Sequence, residues 1–185
     1  MRSTQAALAS CHSEVSNNVH AHALLVTPVH NRPAPSLFAL VIGINQYLYF
    51  SPLSGAVADV EDLKTFLTTS LHVPPDNIST LVEEQATKAA IEKELLCLAT
   101  DSRIQWNDAI LIYYAGHGAR AGPQSWSHGR RISMICPYDM DPCSTDYTVD
   151  QAVTGFTLSG ILAEIAKNKG DNIVRLCVTT DSFTS

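Results

Sequence analysis

The sequence predicts an α/β protein in which a mostly parallel sheet is covered by helices on both faces. Runs of consecutive apolar residues, typical of strands buried on both faces, alternate with segments whose apolar residues recur at helical spacing. Segments rich in Gly, Pro, Asn and Asp separate them and favour turns. Alternation of strand and helix is typical of parallel sheets, and 185 residues suffice for one such domain with a core.

The first half of the pattern contains two strands and two helices. Residues 37–42 are a continuous apolar run closed by Gly43, which predicts a buried strand. Residues 56–67 have the apolar spacing of an amphipathic helix. Residues 78–82 predict a second strand, and Thr87 is expected to cap the helix that follows it.

The second half repeats the alternation less regularly. Residues 109–114 predict a third buried strand that ends before the Gly-His-Gly sequence at 116–118, because glycine is a poor strand-interior residue. Residues 119–155 are rich in Gly, Pro, Ser and Asp and are predicted to be largely irregular. A helix over about 157–167 and a fourth strand over 173–177 complete the pattern.

The residues that precede this pattern differ from it in composition. Residues 1–36 mix Ser, Asn, His and Pro without periodicity, so we expect a flexible arm at 1–36 and a domain at 37–185. Four of the seven histidines lie in the arm, where a solvated tail is the favoured interpretation and metal binding the alternative. The apolar run before Cys11 resembles a lipoprotein signal but is shorter than such signals require.

Composition and charge exclude several classes of function. A formal net charge of −6 without a Lys/Arg cluster argues against a nucleic-acid partner. The strongly apolar run at 37–44 is too short to span a membrane. Five scattered cysteines have no metal-ligand spacing and are too few for a disulfide framework. We therefore expect a cytoplasmic protein that needs no metal or other cofactor.

His117 is the first candidate for chemistry. Functional groups gather at the carboxyl ends of the strands in parallel sheets, and His117 is predicted just past the third strand. The alternative is a loop histidine that bonds a backbone carbonyl. A nucleotide-binding α/β protein is disfavoured, because no glycine-rich phosphate loop is present.

Five short segments, in one order, resemble the caspase-like cysteine peptidases, most closely the metacaspase-type domains common in fungi. They are the opening strand at 38–45 with Tyr47, the helix start at 52–60, the histidine motif at 114–118, the segment at 135–139 and the lead-in at 170–173. The resemblance implies a caspase-like three-layer sandwich and a polypeptide substrate. The family's later strands have no counterpart after Ser185, so the domain is expected to be partial, truncated after its fourth strand.

The resemblance also implies roles for individual residues. His117 would act as general base towards a cysteine thiol and then as acid to the leaving amine, and the backbone N–H of Gly118 would help to hold the oxyanion. Asp59 matches an acidic position that lines the pocket for a basic side chain, which implies cleavage after Arg or Lys.

The segment that would carry the nucleophile departs from the family. Aligned without gaps, the nucleophile position falls on Thr180 and the preceding acidic position on Val178. Cys177 is the nearest thiol in the sequence but needs a three-residue shift, and an ordinary strand-end cysteine is the alternative. Two functions stay open: a cysteine endopeptidase with a Cys177–His117 dyad, and an inactive pseudo-peptidase that serves as an interaction module. A change of reading frame or an unspliced boundary after about Ile173 would explain the departure.

Overall fold

The computed structural model describes residues 36–123, 125, 127–143 and 149–184, so the predicted arm lies outside the described residues except for Ser36. The strands and helices of the described part are, in chain order, β1 (Leu37–Gly43), α1 (Ala56–Thr69), β2 (Ile78–Val82), α2 (Lys88–Thr100), β3 (Ala109–Ala121), β4 (Ile132–Ile135), β5 (Val153–Thr154), α3 (Gly155–Lys169) and β6 (Ile173–Thr184). None of the helices in these ranges has the length and apolar character that crossing a membrane requires.

The six described strands form one mixed sheet. β1 lies between β2 and β3, and both pairings are parallel. β6 pairs in parallel with the other edge of β3 along almost its whole length. Beyond the end of β1, β4 takes its place beside β3 as an antiparallel neighbour, and β5 pairs with β4. The central strand β3 therefore has neighbours on both edges.

Helices cover both faces of the sheet, as the sequence predicted. Helix α1 buries Val60 and Leu67 against one face, where alternate residues of β1 and β3 form a core. Helices α2 and α3 cover the opposite face through residues such as Leu95 and Ile165. The predicted three-layer α/β architecture is confirmed.

The two helices that follow β1 and β2 begin for different reasons. Thr87 caps α2 as predicted, because its hydroxyl accepts a hydrogen bond from the Ala90 N–H. Helix α1 follows Gly55, whose φ of 118° suits glycine, and the Asn45 side-chain oxygen accepts from the Ala56 N–H at 2.9 Å. The start of α1 is thus tied to the loop that leaves β1.

Strand β3 is longer than the sequence indicated. It continues to Ala121, so His117 lies within the strand, and the predicted end before 116–118 is wrong. Hydrogen bonds to β6 on one edge and to β4 on the other keep the backbone extended despite the two glycines. Strands β4 and β5 likewise lie inside the region 119–155 that was predicted to be largely irregular.

Strand β6 is the edge of the parallel part of the described sheet. It extends to Thr184, well past the predicted end at 177. Val174, Leu176 and Val178 follow one another on the α1 face of β6 and are 52, 48 and 54% exposed. β6 therefore presents apolar side chains that the described part of the chain does not cover.

Candidate active site

The imidazole of His117 is held from two sides. The side chain is buried, with 6% of the residue exposed, on the sheet face that α1 covers. Nε2 lies 2.8 Å from the Ser51 carbonyl oxygen, and Nδ1 lies 3.3 Å from Thr180 Oγ1. A carbonyl oxygen only accepts hydrogen bonds, so Nε2 carries the proton and Nδ1 is the acceptor. In this tautomer Nδ1 can take a proton from a group at position 180.

The loop between β1 and α1 supplies most of the surroundings of this imidazole. The Tyr47 ring centroid lies 4.8 Å from the His117 ring, and that of Phe50 lies 5.6 Å from it. The same loop supplies the Ser51 carbonyl. The ring orientation of His117 therefore depends on the conformation of this loop.

A pocket of about 140 Å³ opens where α1 begins and where β3 and β6 leave the parallel part of the sheet. It is lined by Leu53, Ser54, Gly55, Ala56, Asp59, Ala115, Gly116, Val178 and Thr180. Asp59 is the charged residue of this lining. Burial together with the charge of Asp59 raises the pKa of the neighbouring Tyr113 hydroxyl. The structure thus brings Asp59 and Thr180 to one pocket, and Thr180 connects that pocket to His117.

The structure places the Gly118 N–H, to which the resemblance gives the oxyanion, beside strand β6. The Ile110 N–H of β3 donates to Asn172 at the start of β6, and N–H directions alternate along a strand. The Gly118 N–H, eight residues further on, therefore points at the β6 backbone, which pairs with β3 at this level. A β carbon at Gly118 would lie 3.0 Å from Thr179 Cβ. With β6 in this register, the amide belongs to the sheet ladder and does not face the pocket.

Cys177 is not brought to His117. It pairs with Tyr114, whereas Thr180 pairs with His117, and side chains three residues apart on a strand lie on opposite faces. Burial raises the pKa of the Cys177 thiol, although Arg175 lowers it in part. A reactive cysteine has the opposite property, a lowered pKa. In this register Cys177 and His117 lie on opposite faces of the sheet, because side chains alternate between the two faces along β6.

Two site residues were not predicted by the sequence reasoning. Ser51 contributes only a backbone carbonyl, for which no sequence signal exists. Tyr47 belongs to the opening-strand motif, which by itself implies no role for it. Its hydroxyl accepts the His117 N–H at 2.7 Å. The Tyr at this spacing after the first strand was the available signal.

The described residues contain no group of three or more His, Cys, Asp or Glu side chains that could hold a metal ion. The site consists instead of an imidazole with a defined tautomer, a hydroxyl and an acidic pocket. With the mixed sheet and its two helical layers, these features fit a caspase-like α/β scaffold.

Comparison with known proteins agrees with this class. The family described as "Caspase domain" matches residues 36–172. Metacaspase-1 of Candida albicans is 30% identical over 133 residues, which cover 67% of this chain and 27% of that protein. Metacaspase-1A of Aspergillus oryzae is 32% identical over 88 residues, which cover 44% of this chain and 20% of that protein. The chain belongs to the caspase-domain family.

A solved structure supports the fold alone. The crystal structure of protein GSU0716 from Geobacter sulfurreducens matches with a TM-score of 0.57 at 17% identity, covering 80% of this chain and 50% of that one. The curated relatives are much longer proteins, of which this chain matches about a fifth to a quarter of the length. The family match ends at residue 172, directly before β6 begins. The strand beside His117 therefore lies outside the matched range.

Proposed function

We propose that this chain is a polypeptide-binding domain of the caspase and metacaspase class, with His117 as its general base and Asp59 as the group that selects Arg or Lys. The observation that carries the proposal is the orientation of the imidazole. Nε2 is bonded to the Ser51 carbonyl, and Nδ1 is directed at residue 180 beside the acidic pocket.

The proposed reaction is peptide-bond hydrolysis through a nucleophile at position 180. As that group attacks the peptide carbonyl, its proton passes to Nδ1 of His117, and the Ser51 carbonyl stabilises the imidazolium through Nε2–H. His117 then gives the proton to the leaving amine, and a water molecule hydrolyses the ester that remains between the acyl group and residue 180. In this chain the group at position 180 is the hydroxyl of Thr180, which is a far weaker nucleophile than a thiolate. We therefore expect binding of peptides with slow hydrolysis.

The preference for a basic side chain rests on Asp59. A carboxylate that faces a small pocket pairs well with a guanidinium or ammonium group. The expected contribution is that of a charge-assisted hydrogen bond, which discriminates an Arg peptide from its norleucine analogue by about tenfold or more.

Peptide binding tests this proposal directly. Fluorescence anisotropy with labelled peptides that contain Arg, Lys or norleucine would measure the preference of the wild-type chain. We expect Asp59→Asn to abolish the preference for Arg and Lys. Asp62→Asn, an exposed acidic residue on the same helix outside the pocket, is the matched control and should preserve it. Equal affinity of the wild type for all three peptides would overturn the assignment of Asp59.

A second candidate function is a pseudo-peptidase that binds polypeptides without cleaving them. Two observations favour it: Thr180 and not a cysteine lies beside Nδ1, and Cys177 lies on the opposite face of the sheet. The two candidates differ in whether the remaining site can perform catalysis once it has a thiol.

The Thr180→Cys variant separates the two candidates. If the site is competent apart from its nucleophile, the variant should cleave Arg and Lys fluorogenic peptides at least tenfold faster than the wild type, and adding His117→Ala should abolish the gain. Cys177→Ala is the control and should leave the gain intact. A Thr180→Cys variant that still binds peptides but does not cleave them would leave the binding module as the function.

A further inference from the structure

The backbone of His117 lies in a gap of the sheet ladder. On one edge of β3, β1 ends at Gly43, which pairs with Ala115, and β4 begins its pairing at Gly118. The His117 N–H therefore has no strand beside it on this edge. A buried backbone N–H without an acceptor is costly, so another group must fill the gap. The acceptor is the Tyr47 hydroxyl, 2.7 Å from the His117 nitrogen.

A second tyrosine binds the carbonyl of the same residue. The Tyr114 hydroxyl lies 2.8 Å from the His117 carbonyl oxygen and 2.9 Å from that of Cys136, and it donates to them. The hydroxyls of Tyr47 and Tyr114 lie 3.3 Å apart. His117, Tyr47 and Tyr114 thus form a closed ring of hydrogen bonds, in which Tyr47 holds the His117 N–H and Tyr114 shares the His117 C=O with the Cys136 N–H, 3.0 Å away.

The direction of each hydrogen bond in this ring follows from the available protons. The His117 N–H donates to Tyr47, Tyr47 donates to Tyr114, and Tyr114 donates to the backbone carbonyls. Burial raises the pKa of Tyr47 to about 12, and burial raises that of Tyr114 well above its usual value. Both hydroxyls therefore keep the protons that the ring requires.

Gly116 is adapted to the same pair of tyrosines. A β carbon at this position would lie 2.5 Å from the Tyr47 hydroxyl oxygen and 2.6 Å from that of Tyr114. Such distances are too short for non-bonded contact, so a larger residue would displace both hydroxyls. The first glycine of the Gly-His-Gly sequence is therefore explained by the space that the two hydroxyls occupy.

We infer that Tyr47 and Tyr114 are positioning residues for His117. By holding its N–H and C=O in a gap between two strands, they set the direction in which its imidazole leaves β3. Tyr47 also contacts the imidazole itself, at 4.8 Å between ring centroids. This role rests on the proposed function only in taking His117 as the general base. The hydrogen-bonded ring of His117, Tyr47 and Tyr114 exists whether or not the protein turns over a substrate.

The tautomer of His117 is a readout that needs no activity. In the full chain labelled with ¹⁵N-histidine, the two ring nitrogens report which one carries the proton, and the His117→Gln spectrum assigns the signals. We expect a single Nε2–H tautomer in the wild type and a mixture of tautomers in Tyr47→Phe and in Tyr114→Phe. Tyr138→Phe, a partly buried tyrosine outside the ring, is the matched control and should keep the wild-type tautomer.

The Thr180→Cys background supplies a second readout. Loss of positioning should lower kcat by about tenfold or more at unchanged KM, because a misdirected base impairs the reaction and not the binding. If both Phe variants keep the wild-type tautomer while their thermal stability falls, the tyrosines are structural only and the inference is wrong. If Tyr114→Phe does not fold, Tyr47→Phe is the decisive variant, because it removes only the hydroxyl group and keeps the aromatic ring of residue 47. If Thr180→Cys does not cleave peptides although its His117 keeps the Nε2–H tautomer, the proposed function is contradicted. The inference about Tyr47 and Tyr114 then still stands.

Discussion

At the scale of single residues, His117 is defined by what each of its polar atoms contacts. Its ring nitrogens face the Ser51 carbonyl and Thr180, and its backbone groups face the two tyrosine hydroxyls. Two ring nitrogens and two backbone groups of one buried residue thus each have a defined neighbour. A functional side chain needs this kind of support from its neighbours to keep one orientation.

Gly116→Ala should destabilise the protein through the two tyrosine hydroxyls. The added methyl group would lie 2.5 Å from the Tyr47 hydroxyl oxygen, which is too close to fit. At least one hydrogen bond between His117 and the two tyrosines must therefore break, at a cost of about 2 kcal/mol or more. Chemical denaturation measures the loss. Gly160→Ala on the exposed surface of α3, where a β carbon meets open space, is the control and should be neutral or stabilising.

A double-mutant cycle attributes this loss to its cause. Removing the Tyr47 hydroxyl frees part of the space that the methyl group needs, so the combined Gly116→Ala and Tyr47→Phe variant should be more stable than the sum of the single effects predicts. Strict additivity would indicate that the clash lies elsewhere.

At the scale of elements, the loop from β1 to α1 determines the site, and Glu83 anchors that loop. The Glu83 carboxylate accepts from the N–H groups of Asn45 and Gln46 at 3.0 and 2.8 Å. Glu83 itself has a φ of 51°, in the left-handed region that residues with a β carbon seldom adopt. The turn after β2 thus holds the segment that carries Tyr47 and Ser51.

Glu83→Ala should loosen this loop and lower stability by about 2 kcal/mol, because two charge-assisted hydrogen bonds are lost. Hydrogen exchange would detect faster exchange at the amides of Asn45 and Gln46. Glu84→Ala, at the exposed neighbour in the same turn, serves as the control. Unchanged protection of the two amides in Glu83→Ala would show that the carboxylate does not anchor the loop.

At the scale of the whole molecule, stability should fall in alkaline solution. Burial raises the pKa of the Cys136 thiol from 9.0 to about 12. Because the folded value is the higher one, the contribution of the thiol is complete below pH 9 and is lost as the pH rises from 9 towards 12. The slope for one such group is about 1.4 kcal/mol per pH unit. The pKa of Tyr47, which burial raises from 10.0 to about 12, adds to the slope above pH 10.

Denaturant titrations between pH 8 and pH 10 with a reductant present would measure this slope. Cys136→Ala should lower stability throughout, because it opens a cavity, but should flatten the dependence above pH 9. Cys97→Ala, at an exposed cysteine, should leave the slope unchanged. An equally steep curve in Cys136→Ala would mean that another group titrates.

Strand β6, which has no second neighbour among the described strands, should make the molecule self-associate through its edge. An edge strand with unpaired backbone groups pairs readily with other strands, and Leu176 on it is 48% exposed. Leu176→Lys should therefore reduce association in sedimentation velocity over a concentration series. Leu71→Lys, which replaces an equally exposed leucine in the α1–β2 loop, is the control. Equal effects of the two variants would show that β6 is not the interface.

Local patterns in the chain were sufficient for much of the architecture. The apolar run of β1, the amphipathic spacing of α1 and the Thr87 cap of α2 each depend on neighbours a few residues apart, and each was predicted at the place where the structure has it. The caspase-like class followed from five short segments. These features are readable from sequence because burial periodicity and capping are short-range effects.

The arrangement around His117 depended on contacts between distant residues. Pairing with β4 and β6 extends β3 across Gly116 and Gly118, although glycine locally disfavours a strand. The register of β6 places Thr180 and not Cys177 beside the imidazole, because successive side chains of a strand point to opposite faces of the sheet. Which hydroxyl or thiol lies beside His117 is therefore a property of the pairing of strands whose facing residues are 63 positions apart, and no local pattern contains it.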